Sequence, residues 1–372
     1  MRTDWRLVAL LFIAGLFAAA QFAKIALTLE DLAAVYPGLP LPYAVSALSV
    51  VGIIFGTTAG VIVARIGVRR VLISALVAAA VLSGLQALTP PFAIFMGLRL
   101  AEGAAHLAIV VAAPTLMAAV SDPRDVPVSM GLWGTFFGVG FAASAAVIPM
   151  LGGPAGVYAA HGAGLLVLAA ALWPILPRGV ARAEDRDGFV ARHLAIYRNP
   201  RLVAPALGFL WHTLMFLGLL TYLPGLLAPW TAPLLPIVAL VGTFGAGVLA
   251  RRIAPHQIAM AGFVLTILGM GVLIVAPEGV RPVLALPVFV LIGLVPGASF
   301  ATVPALNADG ADQARANGAI AQLGNVGTAT STPLFAATLG AGFAGPALAA
   351  MAISAIGLGA VWLIHRKIAR TG

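Results

Sequence analysis

Four residues of one stretch, Arg99, Glu102, Gly103 and His106, fall at i, i+3, i+4 and i+7. That spacing stacks side chains on one face of a helix. The stretch around them, 92–119, is otherwise apolar and long enough to cross a bilayer. A cation, an acid and an imidazole on one apolar helix are suited to holding an anion and exchanging a proton. Lys24 is a second cation inside an apolar stretch, with Gln21 on the same face. Charges inside a membrane cost several kcal/mol unless paired or hydrated, so the group is expected to face an internal cavity. Two readings of the trio Lys24, Arg99 and Glu102 stand open. In one, the two cations are structural partners of Glu102. In the other, two cations against one acid leave a positive pocket for an anion, and Glu102 takes or releases a proton as that anion comes and goes.

The second half of the chain adds His212, with Tyr222 on the same face ten residues later. Imidazole suits proton exchange near neutral pH, and a neutral packing histidine is the competing reading for His212 and for His106. Gln322, Asn325 and Thr332 share one stripe of a later stretch. Amides in lipid need partners, either neighbouring helices or a ligand. Ligand contacts are therefore expected from Arg99, Lys24, Gln21, Gln322, Asn325 and Tyr222, and proton exchange from Glu102, His106 and His212.

The elements that position these residues are twelve apolar stretches: 5–28, 43–64, 68–88, 92–119, 127–151, 157–176, 202–224, 234–250, 256–276, 283–307, 317–340 and 346–364. Each is long enough to span a hydrocarbon core of ~30 Å as a helix. Eighteen of the 21 Lys and Arg lie at the two termini or in alternate gaps, the opposite gaps hold only Arg281, and Lys24 and Arg99 lie inside stretches. The positive-inside bias then places both termini in the cytoplasm. At 61% hydrophobic and 9% charged residues, an ordinary soluble globule is excluded. The net charge of +9 does not imply a nucleic-acid partner, because no polar domain carries it. The chain has no cysteine, no Walker loop, no His-Glu-x-x-His run and no hydrolase triad. No cofactor, metal or enzymatic activity is expected.

The one long polar gap, 177–201, divides the chain into 1–176 and 202–372. Residues 60–66 (GVIVARI) and 247–253 (GVLARRI) are related by an offset of 187, as are Gly131 with Gly318 and Gly140 with Gly327. Such duplication predicts parallel repeats about an axis along the membrane normal. Gly293, Pro296, Gly297 and Pro304 make the tenth stretch a candidate gating helix or a static kink.

Residues 60–70 (GVIVARIGVRR) resemble the signature of the major facilitator superfamily between spans two and three. Gly60, Arg65, Gly67, Arg69 and Arg70 match it, and Ala64 stands where the family has an acid. Arg99, Glu102 and Gly103 resemble the family's span-four motif, with Glu in place of Gln. In span five Gly131 and Gly140 fit, but Ser144 and Ala145 replace Gly-Pro. The resemblance implies an all-α integral membrane fold of twelve transmembrane helices in two pseudo-symmetric six-helix bundles. It also implies alternating access, a central cavity lined by spans one and four, and a working monomer. The matched residues at 60–70 would form a conformational latch, with Asp122 as an alternative acid for their arginines. The expected function is secondary active transport of a small organic anion across the cytoplasmic membrane, coupled to protons. The rivals are proton-driven efflux of amphipathic drugs and, further off, a non-transporting membrane receptor or scaffold.

Overall fold

The computed structural model describes residues 2–177 and 189–371. The linker residues Arg178, Arg182, Glu184, Asp185, Arg186 and Asp187 lie outside the described residues. Ten single helices are long and apolar enough to cross a membrane among the described residues. They supply spans one (Trp5–Ala26), two (Pro42–Ile66), three (Val68–Ala87), four (Phe92–Ala119) and six (Pro154–Ile175). They also supply spans seven (Pro200–Leu226), eight (Thr231–Leu249), nine (Pro255–Val275), ten (Arg281–Leu306) and twelve (Ala344–Thr371). Span five is a helix pair, Val126–Gly134 and Phe136–Val147, bent by 46°. Span eleven, Gly310–Ala336, has 27 residues and so the length to cross, but carries more polar side chains. The architecture is the expected all-α, twelve-helix membrane fold.

The departures from the sequence reading have local causes. Proline opens spans two, six, seven and nine at the first helical position, where its missing N–H has no intrahelical partner to lose. Span five breaks at Thr135, whose hydroxyl donates to the Leu132 carbonyl at 2.7 Å, inside a glycine-rich run. Span eleven begins at Gly310 rather than 317, because its polar first turns are braced by Arg315 on Asp312 at 2.9 Å. Two short helices, Leu29–Val35 and Phe189–Arg198, join the spans. Gly67, at φ 101°, makes the turn between spans two and three, a conformation that disfavours any side chain. Outward-facing residues such as Val167, Val241 and Leu268 are apolar and more than half exposed, as a lipid-facing surface requires.

The chain forms two compact units. The first is Met1–Asp122, Phe136–Phe189 and Asp309–Ala321; the second is Pro123–Thr135, Val190–Ala308 and Gln322–Gly372. Each therefore takes the first turns of one helix from the other half of the sequence. In the first unit the beginning of span eleven packs on span two, and a Cβ added to Gly318 would lie 3.0 Å from the Gly60 Cα. In the second, the beginning of span five packs on span eight, and a Cβ added to Gly131 would lie 2.7 Å from the Gly247 Cα. The offset of 187 carries Gly60 to Gly247 and Gly131 to Gly318. The two glycine contacts are thus pseudo-symmetry mates, and they support the duplication read from the sequence.

The second unit has an apolar core of Met215, Leu219, Phe289, Phe335 and their neighbours. Span ten runs through Gly293 and Gly297 as continuous helix. Both glycines lie against the span-eight backbone, at Ala239 and Thr243. Their use is close helix packing, the general role of small residues in membranes. Gly131→Ala is expected to cost about 1–3 kcal/mol by forcing the span-five and span-eight backbones apart. Gly245→Ala, with nothing within 4 Å of its added Cβ, is expected to cost nothing. Thermal unfolding of the two variants in detergent checks this.

Candidate functional site

In the first unit, span four places Arg99 and Glu102 one turn apart, and both are 0% exposed. Glu102 Oε1 lies 2.7 Å from Lys24 Nζ on span one. Its Oε2 accepts from Arg99 and, at 2.8 Å, from Gln86 Nε2 on span three. Arg99 also donates from Nε to the Ala44 carbonyl at 3.0 Å and from NH2 to the Gln21 carbonyl at 3.1 Å. Lys24 is 1% exposed, so its ammonium does not extend to a membrane surface. It donates to Ser83 Oγ at 2.9 Å and lies 5.2 Å from the centre of the Tyr158 ring. With all three groups ionised, the trio carries one excess positive charge. The short helix Leu29–Val35 closes over this end, with Leu32 buried beside Ile25, Phe95 and Tyr158 and the Tyr36 hydroxyl on the Pro90 carbonyl at 2.6 Å.

His106 is drawn into the same cluster. Its Nδ1 lies 2.9 Å from Gln21 Oε1 and 3.1 Å from the Ala18 carbonyl. Both oxygens accept, so Nδ1 carries the hydrogen and Nε2 is the basic nitrogen. Arg99, Lys24, Gln21, Glu102 and His106 therefore form one group, as their spacing predicts. The sequence reading missed Ser83, Gln86, Tyr158 and His161, which complete the cluster from spans three and six. An amide inside an apolar span marks Gln86 from sequence alone; nothing marks Ser83.

The other candidates belong to the second unit. His212 is 5% exposed, and its ring stacks on Phe216 at 4.8 Å. Its Nδ1 has no hydrogen-bond partner among the described residues. Tyr222 packs against the apolar core. Gln322 accepts at Oε1 from the Tyr197 hydroxyl at 2.6 Å, which ties it to the linker helix Phe189–Arg198. Burial pushes the Tyr197 hydroxyl up to about 12, so it stays a donor at physiological pH. Asn325 is half-buried.

Of the signature residues, Arg69 donates to the Trp173 carbonyl at 2.6 Å and lies over the Trp173 ring, while Arg65 and Arg70 are exposed. The Asp122 backbone N–H donates to Thr3 Oγ1 at 2.8 Å. In the second unit an acid–arginine pair forms between Asp125 at the start of span five and Arg251 at the end of span eight. Arg251 is the 187-offset mate of Ala64, the position that lacks the acid.

The fold is that of a multi-pass helical membrane protein, and comparison with known proteins shows its family. The profile described as Major Facilitator Superfamily matches residues 7–332. The chain belongs to that family, a family of transporters rather than enzymes. Among solved structures, it is similar to the proton:xylose symporter XylE bound to 6-bromo-6-deoxy-D-glucose, with 14% identity, TM-score 0.77 and coverage of 97% of this chain and 95% of that one. It is similar to the E. coli fucose:proton symporter FucP at 14% identity and TM-score 0.74, covering 98% of each chain. It is also similar to the human organic anion transporter MFSD10 (TETRAN) at 18% identity and TM-score 0.76, covering 97% of this chain and 100% of that one. At these identities the likeness shows the fold. No curated protein sequence matches the chain.

Removing one member of a buried ion cluster leaves its partners uncompensated. Glu102→Gln is expected to destabilise the protein by about 3–5 kcal/mol. Tyr222→Phe is expected to change stability by less than ~0.5 kcal/mol. Chemical unfolding of both variants measures the contrast.

Proposed function

We propose that this multi-pass transporter moves a small organic anion across the cytoplasmic membrane, coupled to protons. The observation that supports this reading is the excess positive charge of the cluster: two cations and one carboxylate, all within 1% of full burial. A lone excess charge in that setting is costly, and a bound anion offsets it. Arg99 and Lys24 attract the cargo, with Gln21 beside them. Glu102 exchanges the proton, and His106 presents Nε2 as a second acceptor. The names of two similar structures, both proton symporters, and of a third, an organic anion transporter, agree with the chemistry proposed. The protein works as a monomer with both termini cytoplasmic and needs no cofactor besides protons.

The six-plus-six division, residues 1–176 and 202–372 joined by 177–201, is proposed as the pseudo-symmetric frame of alternating access. The latch is proposed at the turn between spans two and three and in the gap after span four. Its residues are Gly60, Gly67, the arginines Arg65, Arg69 and Arg70, and Asp122 as their alternative acid. Gln322, Asn325, Tyr222 and His212 stay proposed as the second unit's contribution to cargo and proton handling.

Thermal shift of purified protein against small carboxylates and lipophilic cations tests the cargo class. A ligand at 100 times its Kd stabilises the folded state by about 2.7 kcal/mol. The expected result is a shift with carboxylates that is lost in Lys24→Met, a variant whose remaining Arg99–Glu102 pair is neutral. A shift with lipophilic cations alone would replace the anion reading by drug efflux. A carboxylate shift that survives Lys24→Met would contradict the role given to the excess charge.

A further inference from the structure

We propose that Ser83 and His161 hold the proton that Lys24 gives up when Glu102 takes one. This rests on the proton-coupled reading above and extends it to spans three and six. His161, on span six, is 7% exposed and has a partner at each ring nitrogen. Its Nε2 lies 3.1 Å from the Phe17 carbonyl oxygen, and its Nδ1 lies 3.1 Å from Ser83 Oγ. A carbonyl only accepts, so Nε2 carries a hydrogen. The Lys24 ammonium only donates, so Ser83 Oγ accepts from it at 2.9 Å. The single Ser83 hydroxyl proton then has two acceptors: the Tyr158 carbonyl at 2.8 Å, or His161 Nδ1.

The two orientations of that hydroxyl correspond to two states of the histidine. When it points at Nδ1, the imidazole is neutral. When it points at the Tyr158 carbonyl, Nδ1 supplies its own proton to Ser83 Oγ and the ring is an imidazolium. Each state leaves Ser83 and both ring nitrogens hydrogen-bonded. Rotation of one O–H therefore accommodates either protonation state of His161, and the proton itself must come from a neighbouring group. Neither state leaves a buried polar group unsatisfied, which would be costly.

The driving step follows from charge. While Glu102 is ionised, its carboxylate 2.7 Å away keeps the proton on Lys24. A proton arriving on Glu102 removes that partner and leaves Lys24 and Arg99 as like charges across a neutral acid. Lys24 Nζ then transfers a proton to Ser83 Oγ as the original Ser83 proton transfers to His161 Nδ1. One Nζ–H bond breaks and one Oγ–H bond forms; the former Oγ–H bond breaks and an Nδ1–H bond forms. The lysine becomes a neutral amine, the serine is again a hydroxyl, and the histidine becomes an imidazolium. The charged groups acting on His161 are Lys24 from span one and Glu102 and Arg99 from span four. Span three presents Ser83, and Tyr158 lies one turn back on span six, its hydroxyl 3.5 Å from Thr28 Oγ1.

The test is a pH titration of the full chain in lipid nanodiscs, isotope-labelled at histidine nitrogen and glutamate carboxyl carbon and followed by solid-state NMR. The expected result is a single shared midpoint for the Glu102 carboxyl and His161 Nδ1, because in this relay the uptake of one proton changes both groups. In Ser83→Ala the two midpoints are expected to separate by more than ~1 pH unit. Separate midpoints in the unaltered chain, or a shared midpoint that survives Ser83→Ala, would overturn the proposal. Glu102→Gln, which mimics the protonated acid, supplies a second readout at neutral pH. There His161 is expected to carry hydrogens on both nitrogens, and a ring with hydrogen on Nε2 alone overturns the relay. These readouts need no cargo, so loss of the relay and loss of proton-coupled transport are distinguishable results.

Discussion

The Glu102 carboxylate, buried between Lys24 and Arg99, is the interaction on which the first unit depends. In lipid there is no hydrophobic force between helices, so packing and polar contacts set their positions. This cluster supplies an unusual number of the latter. Arg99 reaches carbonyls on spans one and two while bonding its own helix neighbour. Lys24 and Gln86 bring in span three, and Ser83 passes the connection to span six through the Tyr158 carbonyl. Five spans are therefore registered by contacts that trace back to one acid. Neutralising the same acid would leave two buried cations without their partner and weaken these contacts together.

The second unit is organised differently. It holds a large apolar core, the buried His212 stacks on Phe216, and its helices approach through glycines on spans eight and ten. Close backbone contact gives a rigid, low-polarity body. The glycine contacts that join span five to span eight recur, at the same offset, between spans two and eleven. The acid–arginine pair does not recur: Ala64 leaves the first unit without the counterpart of Arg251, and Asp312 pairs with Arg315 on its own helix. At positions related by 187 residues the glycine contacts match and the charged pairs do not.

The helices were legible because each carries a long apolar run, and span four was legible to its ends. The ion cluster was legible because a charge in such a run is conspicuous and helical spacing decides which charges share a face. Ser83 and His161 were not legible. Serine is common in membrane helices, and their roles arise only when span packing brings spans one, three and six together. The bond between Gln322 and Tyr197 was not legible, because Tyr197 sits in a short linker helix that has no membrane signature. The break at Thr135 and the early start of span eleven depend on side-chain bonds to backbone or neighbour that hydropathy does not record.

The most direct measurement of the central claim is the unfolding free energy of Glu102→Gln, Lys24→Met and the double variant, taken as one thermodynamic cycle. If Glu102 exists to compensate two buried cations, removing Lys24 must relieve part of the damage done by Glu102→Gln, and the double variant will be more stable than Glu102→Gln alone. Additive losses, with the double variant the least stable of the three, would contradict the account.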